Sequence, residues 1–302
     1  MPNLSVSLGK LKLANPLLVA SGTFGYAGEY QDLVSLKKIG AIVTKTITLK
    51  AQKGNPPPRL CETYSGMLNA IGLENPGLQA FIDKKLSSLR KIGVPIIVSI
   101  AADTPAQFAR IARRLSSIKS VAALELNISC PNLGKRGLIA QDPQATYRVV
   151  QAVKKATSLP VITKLSPNVT DISAIASAAQ RAGSDILSLV NTFFGMAVDL
   201  PTRKPILGNT TGGLSGPAIK PQALWMLRQV FRATKLPIIG MGGIMNTRDA
   251  LEFIVCGATA VAVGTANFVN PRVSVEIIAG IKDYLNKNKI KNIKQLVGSL
   301  KA

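Results

Sequence analysis

Histidine is absent from the 302-residue sequence, and cysteine is rare. Without histidine the chain cannot use a Ser-His-Asp or Cys-His catalytic group, a histidine general base or a histidine-ligated zinc ion. The three cysteines, Cys61, Cys130 and Cys256, are far apart and form no CxxC pair. Their spacing argues against a cysteine-only zinc or iron–sulfur site within the chain. Their odd number is untypical of a disulfide framework and predicts a reducing, cytoplasmic environment.

Long hydrophobic runs are also missing. No segment reaches the roughly 18 apolar residues of a transmembrane helix, and the N-terminal segment lacks the apolar stretch of a signal peptide. With 47% hydrophobic and 17% charged residues, the composition is that of a chain with a large core. We therefore expect a soluble, intracellular protein with no membrane association.

Acidic and aromatic residues are scarce. Asp and Glu number 15 against 37 Lys and Arg, so the formal net charge is +22, and aromatic residues make up only 5%. A basic surface attracts nucleic acids, anionic lipids or acidic small molecules. Because base stacking needs aromatic side chains between the basic ones, we expect no nucleic-acid partner. A non-enzymatic, basic nucleic-acid-binding protein stays as an alternative.

Short apolar, β-branched runs alternate with longer segments of helical period along the whole sequence. This alternation predicts βα units and a parallel sheet. Eight such units favour a single α/β domain over residues 1–302, a closed (β/α)₈ TIM barrel. The eight predicted strands are 16–21, 41–46, 95–100, 123–129, 161–166, 186–192, 237–242 and 260–265.

Four segments lie outside the regular alternation. Residues 1–14 alternate around Gly9 and predict a short N-terminal β-hairpin, and residues 285–302 form a basic C-terminal tail. The connections 49–77 and 193–218 are long and rich in Gly, Pro and Asn. Long loops in a compact domain are usually functional, so we expect these two at the C-terminal face of the barrel.

The polar residues at the predicted strand ends point to the chemistry, because barrel active sites lie at that face. They include two lysines, three asparagines and one thiol, but no carboxylate, and this set suits an anionic ligand that carries amide groups. The loops GMGGI (240–244) and VGTA (263–266) predict a phosphate site, since glycines let backbone N–H groups approach an anion closely. The strand-end residues are Ser21, Lys45, Thr46, Ser99, Asn127, Cys130, Asn132, Lys164, Asn191 and Thr192.

Cys130 is the best candidate for a general base. It follows the fourth predicted strand in the sequence NISCPN. A buried free cysteine usually serves only as a small apolar residue, and we interpret Cys256 in that way. Cys130 differs because its surroundings are polar and because nearby lysines would favour the thiolate.

These residues stand in motifs that resemble class 1 dihydroorotate dehydrogenases over nearly the whole sequence. The motifs that look more like type B of this class than type A are NAIGLENPG and GGLSGPAIKP. The full set is NPLLVASGTFG (15–25), VTKT (43–46), GNPPPR (54–59), GMLNAIGLENPG (66–77), ELNISCPN (125–132), TKLSPNVTD (163–171), LVNT (189–192), GGLSGPAIKP (212–221), IIGMGGI (238–244) and AVGTANF (262–268).

The resemblance implies FMN as the cofactor. The FMN phosphate would lie on Gly243, Gly264 and Thr265, and Lys164 would place positive charge near the flavin N1–O2 edge. Ser99 stands where many type B relatives have asparagine. The other implied FMN contacts are Ser21, Lys45, Thr46, Asn127, Val190, Gly216 and Gly242.

The same resemblance implies oxidation of (S)-dihydroorotate to orotate in pyrimidine biosynthesis. Cys130 would take the proton from C5 while a hydride passes from C6 to flavin N5. Lys45 would bind the substrate carboxylate. The remaining implied substrate contacts are Asn69, Ala70, Ile71, Gly72, Leu73, Asn127, Asn132, Asn191 and Thr192.

Type B resemblance also implies a partner. A separate electron-transfer subunit would carry FAD and a 2Fe–2S cluster and reduce NAD, and two such subunits would bind a homodimer of catalytic chains. No metal is expected in the chain itself. The alternatives are a fumarate-dependent type A enzyme, and another FMN barrel reductase acting on pyrimidines or tRNA. A flavin-free sugar-phosphate isomerase would need a carboxylate base, and none stands at the strand ends.

Overall fold

The computed structural model of the chain describes residues 1–129 and 139–301. Its strands, numbered in chain order, are β1 (Val6–Leu8), β2 (Leu11–Leu13), β3 (Leu17–Val19), β4 (Ala41–Val43), β5 (Leu60–Thr63), β6 (Gly66–Asn69), β7 (Ile96–Ile100), β8 (Val121–Asn127), β9 (Val161–Lys164), β10 (Ile186–Leu189), β11 (Phe193–Gly195), β12 (Val198–Asp199), β13 (Lys204–Pro205), β14 (Gly212–Ser215), β15 (Ile238–Met241) and β16 (Ala260–Val263). Its α-helices are α1 (Leu78–Ala80), α2 (Leu86–Arg90), α3 (Pro105–Ser116), α4 (Pro143–Ala156), α5 (Ile172–Arg181), α6 (Lys220–Ala233), α7 (Thr247–Cys256), α8 (Ala266–Val269) and α9 (Val273–Lys287).

Eight parallel strands form a closed barrel in the order β3-β4-β7-β8-β9-β10-β15-β16, and β16 pairs with β3. The predicted (β/α)₈ barrel is confirmed. Most barrel strands lie within the predicted runs, although β8 begins at Val121, ahead of the predicted 123. Strands such as β7 and β15 are buried at every position, as expected for strands that are covered on both faces.

The first βα unit departs from the prediction that a helix follows every strand. Between β3 and β4 the chain forms two 3₁₀ turns, Gly28–Tyr30 and Leu36–Lys38, and no α-helix. Three glycines, Gly22, Gly25 and Gly28, interrupt this segment, and glycine in a helix interior is destabilising because it loses the most conformational freedom. The segment is instead anchored by buried apolar side chains, among them Phe24, whose ring stacks on that of Tyr30.

Helices α3 and α4 begin at capped N-termini. Thr104 and Asp142 accept hydrogen bonds from backbone N–H groups of the first turn, and a proline follows each cap. Both features are typical of helix N-termini, because the cap satisfies an orphan donor and proline has no N–H to leave unpaired.

The two ends of the described chain meet beside the barrel. Strands β1 and β2 pair as an antiparallel hairpin around Gly9, as predicted. In the predicted tail, residues 285–287 complete helix α9, and Ile293 is fully buried. The Asn3 N–H donates to Lys291 O, and the Ile293 N–H donates to Asn3 O. The tail is therefore packed against the N-terminal segment. Within residues 1–129 and 139–301, no helix combines the length and apolarity needed to cross a membrane.

The two long connections form one antiparallel sheet, which we call the roof sheet, with strand order β11-β14-β6-β5. Strands β5 and β6 come from the connection after β4, and β11 and β14 from the connection after β10. The central pairing joins Gly213 to Asn69 and Ser215 to Met67. Two loops far apart in sequence thus become one ordered wall above the barrel.

Candidate active site

A cavity of about 550 Å³ lies between the C-terminal ends of the barrel strands and the roof sheet. This volume is in the range of small-molecule and cofactor sites, about 300–1,000 Å³. The structure brings most of the predicted site residues together here. Those that line the cavity are Ser21, Lys45, Thr46, Asn69, Ala70, Ile71, Gly72, Leu73, Asn127, Lys164, Val190, Asn191, Thr192, Gly216, Gly242, Gly243, Gly264 and Thr265.

Three predicted residues are not in that group. Ser99 is fully buried, and its hydroxyl lies 2.9 Å from Thr46 Oγ1. It therefore supports a lining residue from behind. Cys130 and Asn132 lie outside the described residues. Ser129, the last residue described before Cys130, lines the cavity.

A chain of polar side chains crosses the cavity floor. Asn127 Nδ2 donates to Thr46 Oγ1 at 3.2 Å, and Asn191 Nδ2 donates to Asn127 Oδ1 at 3.4 Å. Together with Ser99, these residues connect the ends of β4, β7, β8 and β10. Linked amides of this kind hold one another in fixed orientations. The floor is thus preorganised to donate to and accept from a planar ligand that carries amide groups.

A glycine corner, made of Gly216, Gly242, Gly243 and Gly264, borders the other side of the cavity. The first three have positive φ of 100°, 125° and 76°. A Cβ on Gly243 would lie 2.8 Å from Lys220 Cβ and 2.9 Å from Gly216 O. Glycine is therefore required here by both conformation and space. Gly242, Gly243 and Gly264 lie in the loops after β15 and β16, the usual phosphate position of this fold, and Gly216 follows β14.

The ammonium of Lys220, next to the glycine corner, is paired elsewhere. Its Nζ donates to Asp249 Oδ1 at 2.5 Å and to Glu252 Oε2 at 2.9 Å. These hydrogen bonds, that to Asp249 first, raise the pKa of Lys220 above its ordinary value. An anion at the corner would therefore rely on backbone N–H groups and on the hydroxyl of Thr265, which lies 2.8 Å from Ser215 Oγ.

Lys164 enters the cavity from β9 and has an acidic neighbour that sequence reasoning missed. Its Nζ donates to Ser21 Oγ at 3.2 Å and lies 3.9 Å from Glu125 Oε1. Glu125 is 1% exposed and is not among the lining residues. Glu125 lies two residues before the end of β8 and so is not a strand-end residue. The available signal was a charged residue in the run VAALELN, two positions before Asn127 and so on the same face of the strand.

Asn168 is a second functional candidate that the sequence reasoning did not single out. Its Nδ2 donates to Thr192 O at 3.0 Å, and its Oδ1 accepts from the Phe194 N–H at 2.9 Å. It lines the cavity and joins the loop after β9 to the start of the roof sheet. Asn69 makes a similar link within the roof sheet, from its Nδ2 to Gly213 O at 3.2 Å.

The comparisons with known proteins agree with this geometry. A family model described as dihydroorotate dehydrogenase matches residues 3–285. The chain belongs to the dihydroorotate dehydrogenase family. Dihydroorotate dehydrogenases are in general flavin-dependent.

Two relatives are described as the catalytic subunit of dihydroorotate dehydrogenase B (NAD(+)). The chain is 54% identical to the one from Geotalea daltonii over 301 residues, which is 99% of each chain. It is also 54% identical to the one from Geobacter metallireducens over 302 residues, covering 100% of this chain and 99% of the relative.

A crystal structure of dihydroorotate dehydrogenase from Eimeria tenella, in complex with ferulenol, has the same fold. It is 23% identical in sequence, with a TM-score of 0.82, and the match covers 99% of this chain and 89% of that one. In the described part of the chain, no group of three or more cysteine or acidic side chains is placed to hold a metal ion.

Proposed function

We propose that the chain is the catalytic subunit of an NAD-linked, type B dihydroorotate dehydrogenase. It oxidises (S)-dihydroorotate to orotate in pyrimidine biosynthesis. The observation that carries this proposal is the combination of a glycine corner, a buried lysine and a floor of linked asparagines around one cavity. The full-length similarity to relatives named as NAD(+)-linked catalytic subunits supports type B over the fumarate-dependent type A.

FMN fits the cavity residues as the flavin. The glycine corner is a space that a Cβ would fill at Gly243, and with Thr265 it supplies the phosphate site. Lys164, which lines the cavity, would supply positive charge near the flavin N1–O2 edge. The remaining contacts come from Ser21, Lys45, Thr46, Asn127 and Val190, with Ser99 acting through Thr46. When bound, FMN supplies a two-electron hydride acceptor.

The substrate is held between this site and the roof sheet. Lys45 binds the carboxylate of dihydroorotate, and Asn69, Asn127, Asn132, Asn191 and Thr192 bind its carboxylate and ring amides. The segment 70–73 forms the adjoining wall and helps to exclude water. A ligand with alternating N–H and C=O groups satisfies asparagine side chains, which carry one acceptor oxygen and two N–H donors each.

Cys130 is the proposed base that takes the proton from C5 of the substrate. It follows Ser129, which lines the cavity, and the chain offers no histidine for this task. A cysteine acts as a base only as the thiolate, which neighbouring positive charge favours. Lys45 and Lys164, both cavity residues, supply that charge.

The electrons leave through a partner protein. We expect a separate subunit with FAD and a 2Fe–2S cluster to carry them to NAD, with two such subunits bound to a homodimer of catalytic chains in the cytoplasm. The support is the term "catalytic subunit" in the names of the relatives.

The deciding experiment is an anaerobic titration. The purified chain should show the visible spectrum of an oxidised flavin, and dihydroorotate should bleach it. Reoxidation by NAD should be slow until the electron-transfer subunit is added, and fumarate should be a poor acceptor. Fast turnover of the lone chain with fumarate would favour type A. A yellow protein that dihydroorotate does not bleach would contradict the substrate, and a chain that cannot take up FMN would contradict the whole proposal.

A further inference from the structure

Glu125 is a buried carboxylate to which the proposed function gives no role. It lies in the middle of β8 with 1% of its surface exposed. One oxygen, Oε2, accepts a hydrogen bond from Ser188 Oγ at 3.2 Å. The other, Oε1, has no hydrogen-bond partner among the described residues and lies 3.9 Å from Lys164 Nζ.

Glu125 and Lys164 would each be costly to bury without the other. An isolated buried charge costs several kcal/mol, and a buried polar oxygen without a partner is also costly. The Lys164 side chain is itself only 6% exposed. In the described part of the chain, Glu125 is the only carboxylate paired with Lys164. A carboxylate in this place therefore needs Lys164, and Lys164 needs the carboxylate.

The contacts of Lys164 show where its charge is directed. Its ammonium donates to Ser21 Oγ, and both residues line the cavity. Glu125 lies beneath, outside the lining. The ammonium is thus held between a buried anion below and the cavity above. A side chain with four rotatable bonds gains a fixed position from two such partners.

We propose that Glu125 is a positioning residue for Lys164. It keeps the Lys164 ammonium directed into the cavity, where its positive charge favours the reduced, anionic flavin over the oxidised one. This inference rests on the proposed function for the identity of the ligand. Glu125 contacts neither flavin nor substrate and acts only through Lys164.

The sign of the change in flavin reduction potential distinguishes this positioning role from a direct effect of the Glu125 charge on the flavin. If Glu125 only added negative charge near the flavin, its removal would raise the flavin reduction potential. If it holds Lys164, its removal leaves the ammonium buried without an anion. Lys164 then turns away from the cavity, and the reduction potential of the flavin falls.

The test is a redox titration of flavin-loaded Glu125→Gln with a chemical reductant, which needs no dihydroorotate. We expect the affinity for reduced flavin, relative to that for oxidised flavin, to fall at least tenfold. This corresponds to a reduction potential that is lower by about 30 mV for a two-electron couple. In a Lys164→Met background, the added Glu125→Gln change should leave the potential unmoved. Glu125→Asp, which keeps the charge, should retain most of the wild-type value.

Ser188→Ala is the matched control, because it removes the other partner of Glu125 and leaves the carboxylate in place. Its potential should stay near that of the wild type. A raised potential in Glu125→Gln, or an equal shift in the Lys164→Met background, would overturn the inference. If Glu125→Gln does not fold, the flavin reduction potential of Lys164→Met is compared with that of the double variant Lys164→Met/Glu125→Met, in which neither charge is left unpaired. Equal potentials would support the inference, and a higher potential in the double variant would overturn it.

The two proposals fail in different ways. A flavin that dihydroorotate does not reduce contradicts the proposed substrate and leaves the redox titration of Glu125→Gln fully informative. A chain that takes up no flavin contradicts both.

Discussion

Thr46 shows how much of the site depends on single hydrogen bonds. Its hydroxyl is shared between Ser99, behind it, and Asn127, beside it on the floor. Asn127 in turn receives a bond from Asn191. Because each amide is oriented by its neighbour, a change at buried Ser99 reaches the cavity through Thr46.

At this scale the proposed base gives a direct prediction. Cys130→Ala should retain its flavin but slow the reduction of that flavin by dihydroorotate at least about 10²-fold, the usual size of a general-base contribution. Rapid mixing under anaerobic conditions measures the rate. Cys256→Ala is the control, since Cys256 ends helix α7 and does not line the cavity. An unchanged rate in Cys130→Ala would remove this thiol from the mechanism.

Position along the sequence sufficed to predict the residues that stand at strand ends. Lys45, Asn127, Lys164 and Asn191 follow or end apolar runs, and a barrel places all such ends on one face. The sequence pattern did not indicate Glu125, because its contact with Lys164 depends on which side chains face inward in the layer below the strand ends. Asn168 was missed because its contacts run between two loops, and no local pattern indicates those.

At the scale of elements, the roof sheet is the largest feature beyond the reach of sequence patterns. Its strands are short, and β6 pairs with β14 across about half the chain. Glycines occupy paired positions of this sheet: a Cβ on Gly66 would meet Ser215 O, and one on Gly212 would meet Asn69 O. Their abundance indicated a loop, whereas they allow two backbones to approach closely.

Helices α6 and α7 are joined by Lys220, which gives a prediction with a defined pH dependence. The hydrogen bonds to Asp249 and Glu252 raise the pKa of Lys220. The stabilisation is therefore complete below the ordinary lysine pKa and is lost as the pH rises through the raised value. Lys220→Met, which keeps the aliphatic stem, should lower the free energy of unfolding by about 1 kcal/mol at neutral pH.

Denaturant unfolding of flavin-loaded protein at neutral pH and at about pH 11.5 measures this dependence. The difference between wild type and Lys220→Met should shrink at the higher pH. Lys235→Met is the control, because Lys235 is exposed and forms no ion pair with the described residues. A difference that grows with pH would contradict the assigned role of the ion pairs.

At the scale of the whole molecule, the net charge of +22 should act on anionic ligands before they bind. A strongly positive protein raises the association rate of an anion, and salt screens this attraction. We expect the second-order rate constant for flavin reduction by dihydroorotate to fall at least about threefold between about 20 mM and 500 mM sodium chloride. The limiting rate at saturating substrate should stay constant, because the long-range attraction acts on association and not on the bound complex. Stopped-flow traces across a substrate series separate the two constants, and a salt-independent second-order constant would contradict steering.

The pairing of β16 with β3 closes the barrel, and it can form only after the last barrel strand has been synthesised. Ser21 follows the first barrel strand, whereas Gly264 and Thr265 follow the last, and all three line one cavity. Contacts between segments this far apart in sequence form late, because the intervening chain must be ordered first. A ribosome-bound chain that still lacks β16 has an open edge at β3, and its glycine corner is incomplete because Gly264 follows β16. Until β16 pairs with it, β3 presents an unpaired strand edge of the kind that promotes aggregation.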